Sequence, residues 1–231
     1  WVKARGGDLD ALRTHEDRVP PELHQTTWVS ECALEFIAED RAPDTPWMLT
    51  LNPYSPHEPL IPPRVYADQF NPADMPGPHF QESDLAQQEA LEDIVFQTRV
   101  QHPDTFNGKK HQALYYAMIK QIDDQFARIL DGLERAGQRD NTIIIFTSDH
   151  GEALGDHGLL WKGCRFYEGL VRVPLIFSWP GHIQAKLQSD ALVELIDMSA
   201  TMLAIGGVDL PEDFQGRSLT PILNGDARPG H

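Results

Sequence analysis

"HQALYYAMIKQIDDQFARILDGLERAGQRDNTIIIFTSDHG", residues 111–151, runs a long amphipathic pattern, a polar turn, an apolar run and a polar terminus in one unbroken order. Tyr115, Met118, Ile119, Ile122, Phe126, Ile129, Leu130 and Leu133 recur at helical spacing, most charges fall on the other face, and Gly137 stands where a helix stops. After "QRDN", the β-branched run "TIIIFTS" has the solid apolar character of a strand covered on both faces. The order is helix, buried strand, then residues able to carry chemistry.

Working outward, "TTWVSECALEFIAED" (26–40) predicts a helix with Thr26 as N-cap and Trp28, Cys32, Phe36 and Ile37 on its apolar stripe. "PWMLTLN" (46–52) is too short for a helix and suits a buried strand. The five prolines of "PYSPHEPLIPP" (53–63) exclude helix interior and central strand, leaving a stiff, irregular loop at a strand end. Residues 71–111 read as an irregular insertion containing one helix, "SDLAQQEALEDIVFQT". "RVPLIFSWPG" (172–181) predicts a strand, and "ALVELIDMSATMLAIGG" (191–207) a strand, an N-cap at Asp197, a short helix and a stop at Gly206. Strands separated by helices indicate an α/β fold with a largely parallel, mixed sheet covered on both faces. No internal repeat is visible, and one domain spanning 1–231 is the simplest organisation.

With 35 acidic against 19 basic residues the formal charge is −16, which argues against nucleic acid or an anionic membrane surface as partner. No apolar run approaches membrane-span length, and no signal-peptide pattern opens the chain. Trp1 stands where a Met would, which reads as loss of the natural start. Cys32 and Cys164 are too few for a disulfide framework, lack metal-ligand spacing, and read as buried thiols.

Ligands of such sheets sit beyond the carboxyl ends of strands, where the 53–63 and 148–163 loops both begin. Asp149 and His150 offer a carboxylate oxygen and an imidazole nitrogen to one cation, and Gly151 permits the sharp turn that would let them converge. On spacing alone, a solvated turn accounts for "SDHG" better, and His157 in "GDHG" has the same alternative with a weaker functional case. Lys162, in the apolar context "LLWKGC", is able to bind an anionic oxygen as a point charge, and His57, in a proline-stiffened loop, to act as a general acid. Together, these groups suit hydrolysis of a phosphate or sulfate ester, with the nucleophile missing.

"TIIIFTSDHGEALGDHGLLWKG", "YEGLVRVPLIFSWPG", "PWMLTLNPYSPHEPLIPP", "YYAMIKQIDDQFARILDGLERAG" and "ELIDMSATMLAIGGVDLPEDFQGRSLTPIL" together resemble a sulfatase of the alkaline-phosphatase-like superfamily, from about residue 22 to 224. The resemblance implies a three-layer α/β/α sandwich that hydrolyses sulfate esters with a formylglycine, made from the Cys or Ser of a C/S-x-P-x-R segment, and a divalent metal. By that resemblance Asp149 and His150 match one pair of metal ligands, His57 the histidine near the leaving group, and Lys162 the lysine contacting the sulfate. The resemblance implies calcium first and manganese second: family members usually hold calcium, although the imidazole of His150 is a poorer partner for calcium than for manganese, iron or zinc.

The chain has no C/S-x-P-x-R segment and no early paired aspartates, so nucleophile and first ligand pair are expected upstream, and relatives continue beyond "GRSLTPIL". The expectation is therefore a catalytic domain truncated at both ends, acting on a small-molecule or carbohydrate sulfate ester. The alternatives are a phosphonate monoester or phosphodiester hydrolase of the same superfamily and a noncatalytic α/β fragment. His57, Asp149, His150 and Lys162 are expected within about 10 Å of one another, as one reacting group would require.

Overall fold

A computed structural model describes residues 3–5, 20–39, 42, 45–91 and 99–226. The chain divides into two units: Trp1–Gly137 with Gly151–Arg172, and Gln138–His150 with Val173–His231.

In the first unit, helix α1 spans Gln25–Ala38. Its cap is His24, whose Nδ1 accepts from the Thr26 amide at 3.2 Å, rather than the expected Thr26. The face it buries carries Thr26, Thr27, Ser30, Ala33 and Ile37, while Trp28 and Cys32 stay exposed. Small side chains let the helices approach closely, so packing selected them over the bulkier stripe. Cys164 is exposed too, so neither thiol is buried as expected. After α1 come the one-turn helix α2 (Arg64–Ala67), α3 (Glu82–Glu89) and the long α4 (Gly108–Arg135). Helix α4 packs on α1 and α2 and buries Ala113, Ala117, Met118 and Leu133; a Cβ on Gly132 would stand 2.4 Å from a methyl of Leu34 in α1. Gly137 ends α4 in the left-handed region at φ +65°, as the sequence predicts.

Residues 46–52 form no strand and have no ladder partner among the described residues, so the expected buried strand is not formed there. Trp47 packs its ring edge-on to Phe36 at 5.5 Å, whereas Met48 is 76 % exposed. Apolar composition supplies one covered face; a strand also needs a neighbouring strand's amides and carbonyls.

Residues 71–91 and 99–111 of the 71–111 segment are described. Helix α3 is closed at its start by the Gln81 amide donating to Asp84 Oδ2 at 2.8 Å. The remainder of the expected helix, 92–98, lies outside the described residues. The "GDHG" turn holds this segment: the His79 amide donates to Asp156 Oδ1 (2.7 Å), the His157 amide to the His79 carbonyl (2.8 Å) and the Gln101 amide to the Gly158 carbonyl (2.9 Å). His157 also stacks on Tyr167 with centroids 4.0 Å apart. Its Nδ1 lies 3.4 Å from Asp84 Oδ1. A one-turn helix, α5 (Glu168–Val171), completes the unit.

The second unit holds β1 (Ile144–Thr147) and β2 (Leu175–Ser178), antiparallel with Ile144 opposite Ser178 and Thr147 opposite Leu175. An antiparallel pair is compatible with the mixed sheet that the sequence predicts. Apolar runs reveal that strands exist and not which way they point, and the intervening 148–174 segment returns the chain in the opposite direction. The strand expected before helix α6 (Leu195–Ile205) is not formed among the described residues: 191–194 have no ladder partner there, and Leu192 is exposed. The cap of α6 is Glu194; Asp197 closes the capping box from inside the first turn, accepting from the Glu194 amide at 2.9 Å and the Arg217 amide at 2.8 Å. Gly206 is the C-cap in a helical conformation, and Gly207 takes the left-handed turn at φ +69°. A last turn, α7, spans Thr220–Leu223. No helix among the described residues is long and apolar enough to cross a membrane.

Candidate functional site

In the first unit, the 53–63 loop is tied to the start of α1. Thr26 Oγ1 donates to Ser55 Oγ at 2.9 Å, and the buried His24 ring, through its other nitrogen, donates to the Ile61 carbonyl. The peptide bonds Ser55–Pro56 and Glu58–Pro59 are cis. Between these anchors His57 is presented at the surface. Its amide donates to the Tyr54 carbonyl at 3.0 Å, and its ring lies 4.7 Å from the Tyr54 ring. Nδ1 lies 2.7 Å from the Glu58 carbonyl oxygen, which also accepts from the Tyr54 hydroxyl at 2.7 Å. A carbonyl only accepts, so Nδ1 carries the proton and Nε2 is left with its lone pair. Lys162 Nζ donates to that Nε2.

Lys162 reaches His57 because the preceding turns fix it. Leu159 and Leu160 are buried, and the Ala153 and Gly155 amides donate to the Trp161 and Leu159 carbonyls at 2.9 and 2.8 Å. Trp161 takes a left-handed conformation at φ +67°, exposing its side chain next to the lysine.

In the second unit, Asp149 and His150 follow β1 directly. Asp149 is 86 % exposed; its Oδ1 accepts from the His150 amide at 3.0 Å, and its Oδ2 lies 3.8 Å from His150 Nε2. Ser148 Oγ donates to the His150 carbonyl at 2.7 Å, tightening the turn. A carboxylate oxygen and an imidazole nitrogen this close fit a divalent ion as half a ligand set. Among the described residues no group of three or more His, Cys, Asp or Glu completes one. Gly151 does not have the positive φ that a glycine turn suggests. Its need is space: a Cβ there would stand 1.9 Å from the Gly169 carbonyl oxygen, because the Gly151 and Glu152 amides donate to the Leu170 and Gly169 carbonyls at 2.7 and 3.0 Å.

The structure thus brings His57 to Lys162 in one unit and Asp149 to His150 in the other. Sequence reasoning missed Tyr54, Glu58 and His111. Tyr54 and Glu58 flank His57 in the quoted loop, a usable signal; nothing in the sequence connects Glu58 to His111, whose Nε2 lies 2.9 Å from Glu58 Oε1. Burial pushes the Glu152 carboxyl above the usual range, an effect opposed by backbone amides and by His111.

The Sulfatase family model matches residues 9–208. The chain belongs to the sulfatase family. This sulfatase chain is 34 % identical over 208 residues to an arylsulfatase of Clostridium perfringens, covering 87 % of the chain and 42 % of the relative. It is 31 % identical over 240 residues to a multifunctional alkaline phosphatase superfamily protein of Trinickia caryophylli, covering 96 % and 46 %. Among solved structures, it superposes on the phosphonate monoester hydrolase of Agrobacterium radiobacter with a TM-score of 0.80 and 29 % identity, covering 94 % of the chain and 45 % of that structure. The chain therefore has the alkaline-phosphatase-like α/β fold and spans less than half the length of these relatives.

Proposed function

We propose that this sulfatase chain is the part of a sulfuric ester hydrolase that supplies the leaving-group acid, the cation that binds the sulfate and half of the metal site, serving a small-molecule or carbohydrate sulfate ester. The observation that carries the reading is the contact of Lys162 Nζ with His57 Nε2, beside a Glu58 carbonyl that holds the Nδ1 proton. Lys162 offers its N–H groups to sulfuryl oxygens as negative charge builds on them. Once Nε2 has taken up a proton, from Lys162 or from solvent, His57 is an imidazolium held by its Nδ1 contact, and it passes that Nε2 proton to the ester oxygen as the sulfur–oxygen bond breaks and its electron pair stays on the departing alcohol. Asp149 and His150 would hold a divalent ion, calcium first and manganese second, which supplies positive charge against the reacting oxyanion. The nucleophile is proposed to be a formylglycine outside these 231 residues, which contain no C/S-x-P-x-R segment.

A second reading, phosphonate monoester hydrolysis, draws support from the similarity to the Agrobacterium enzyme and from the imidazole of His150, which suits manganese or iron better than calcium. The protein that carries this chain, assayed side by side on 4-nitrophenyl sulfate and 4-nitrophenyl phenylphosphonate and analysed for bound metal, decides between them. A higher kcat/KM on the sulfate ester supports the first reading. Preference for the phosphonate with stoichiometric manganese or iron overturns it.

A further inference from the structure

We infer that Glu58 and His111 are positioning residues for His57, holding the carbonyl that fixes which imidazole nitrogen faces the substrate. The inference rests on the reading of His57 as the leaving-group acid.

An imidazole acid delivers its proton from one nitrogen only if the other is occupied by a fixed partner. For His57 that partner is a backbone carbonyl, that of Glu58, 2.7 Å from Nδ1. The same oxygen accepts from the Tyr54 hydroxyl at 2.7 Å, so both its lone pairs are used and its direction is set from two sides. A carbonyl in an exposed loop holds that direction only if its residue is anchored. Glu58 is anchored by its side chain, whose Oε1 lies 2.9 Å from Nε2 of His111, off the line of a well-aligned hydrogen bond. Both side chains are largely covered, with 28 % and 15 % of their surface exposed. His111 is in the first turn of α4, its amide donating to the Asn107 carbonyl at 3.1 Å. The long helix that packs on α1 therefore fixes, through one carboxylate–imidazole contact, the backbone oxygen on which the His57 tautomer depends. Glu152 lies within electrostatic reach of both His111 and Glu58, so the contact is embedded in a charged cluster and not isolated.

An anchor with no bearing on His57 would have a different kinetic signature. Protonation of the departing oxygen matters for a poor leaving group and little for an activated one, so misorienting the acid slows phenyl sulfate more than 4-nitrophenyl sulfate. Loss of folded protein slows both equally. In the complete protein, His57→Ala sets the scale, with a loss of about 10²-fold or more in kcat on phenyl sulfate and only a few-fold on the nitrophenyl ester. Glu58→Ala and His111→Leu are expected to lose about tenfold on phenyl sulfate and less than about threefold on the nitrophenyl ester, with Glu58→Gln recovering most of the loss. Tyr54→Phe, at an exposed ring, is expected to show the same bias and keeps the test open if loss of the anchor unfolds the loop. Equal losses on both esters in Glu58→Ala, His111→Leu and Tyr54→Phe, while His57→Ala keeps its leaving-group bias, would overturn the positioning role. Absence of that bias in His57→Ala itself would overturn the acid reading beneath it.

Discussion

Lys162 Nζ is seated against Nε2 of His57, although the two residues come from separate loops of the first unit. The pairing has a direct chemical consequence. His57 keeps its proton on Nδ1, so the ammonium of Lys162 is the donor in the shared contact.

Replacing Lys162 with Met is therefore expected to lower kcat/KM on an aryl sulfate by about 10²-fold, the scale seen when one donor to a developing oxyanion is lost. Lys162→Arg should restore little of it, since a planar fork does not reproduce a point charge at the same position. Steady-state kinetics on the complete protein measure both.

The His24 ring gives a pH dependence of stability. Burial lowers its pKa from 6.5 to about 4, the hydrogen bond to the Ile61 carbonyl opposing the shift. Between these values the unfolded chain takes up a proton that the folded chain refuses, so this stabilisation is complete above pH 6.5 and is lost as pH falls toward 4. The loss approaches roughly 3 kcal/mol. Protonation also removes the Nδ1 acceptor that caps α1. Denaturant melts of wild type and His24→Asn across this range should converge at acid pH, because Asn caps without titrating. A difference between them that stays constant with pH would contradict the assignment.

Gly151→Ala is expected to destabilise the chain by about 3 kcal/mol or more, since the new methyl would meet the Gly169 carbonyl, which is backbone and has nowhere to move. Gly137→Ala, where a Cβ meets nothing within 4 Å, should cost only about 1 kcal/mol for its left-handed φ of +65°. Chemical denaturation ranks the two.

Expressed as these 231 residues, the chain is expected to show no turnover of aryl sulfates with calcium present, because it contains no C/S-x-P-x-R segment. Titration calorimetry should give divalent-ion binding on the order of millimolar or weaker, because Asp149 and His150 leave most of a coordination shell to water. Turnover abolished by His57→Ala or Lys162→Ala would contradict this.

What the sequence made legible follows from which interactions are local. Helix α4, its stop at Gly137 and the strands β1 and β2 are written in periodicity, a glycine and β-branched runs, all properties of neighbouring residues. On α1 the expected stripe holds at Ile37, but Ser30 and Ala33 are buried where Trp28 and Cys32 are exposed, a choice set by what packs on the helix and not by its own spacing. Residues 46–52 and the antiparallel direction of β1 and β2 depend on pairing, which composition does not encode. Within the candidate site, the residue types of His57, Lys162, Asp149 and His150 were readable. The turns that deliver Lys162 through buried Leu159 and Leu160, and the contact of Glu58 with His111, arise only on folding.

Whether these four residues serve one sulfate ester is tested most directly by a crystal structure of the complete protein with sulfate and metal bound. Sulfate oxygens are expected within hydrogen-bond distance of Lys162 Nζ and His57 Nε2, the metal on Asp149 and His150, and all four groups within about 10 Å of one another. Sulfate bound away from Lys162, or His57 on the opposite sheet edge from Asp149, would contradict it.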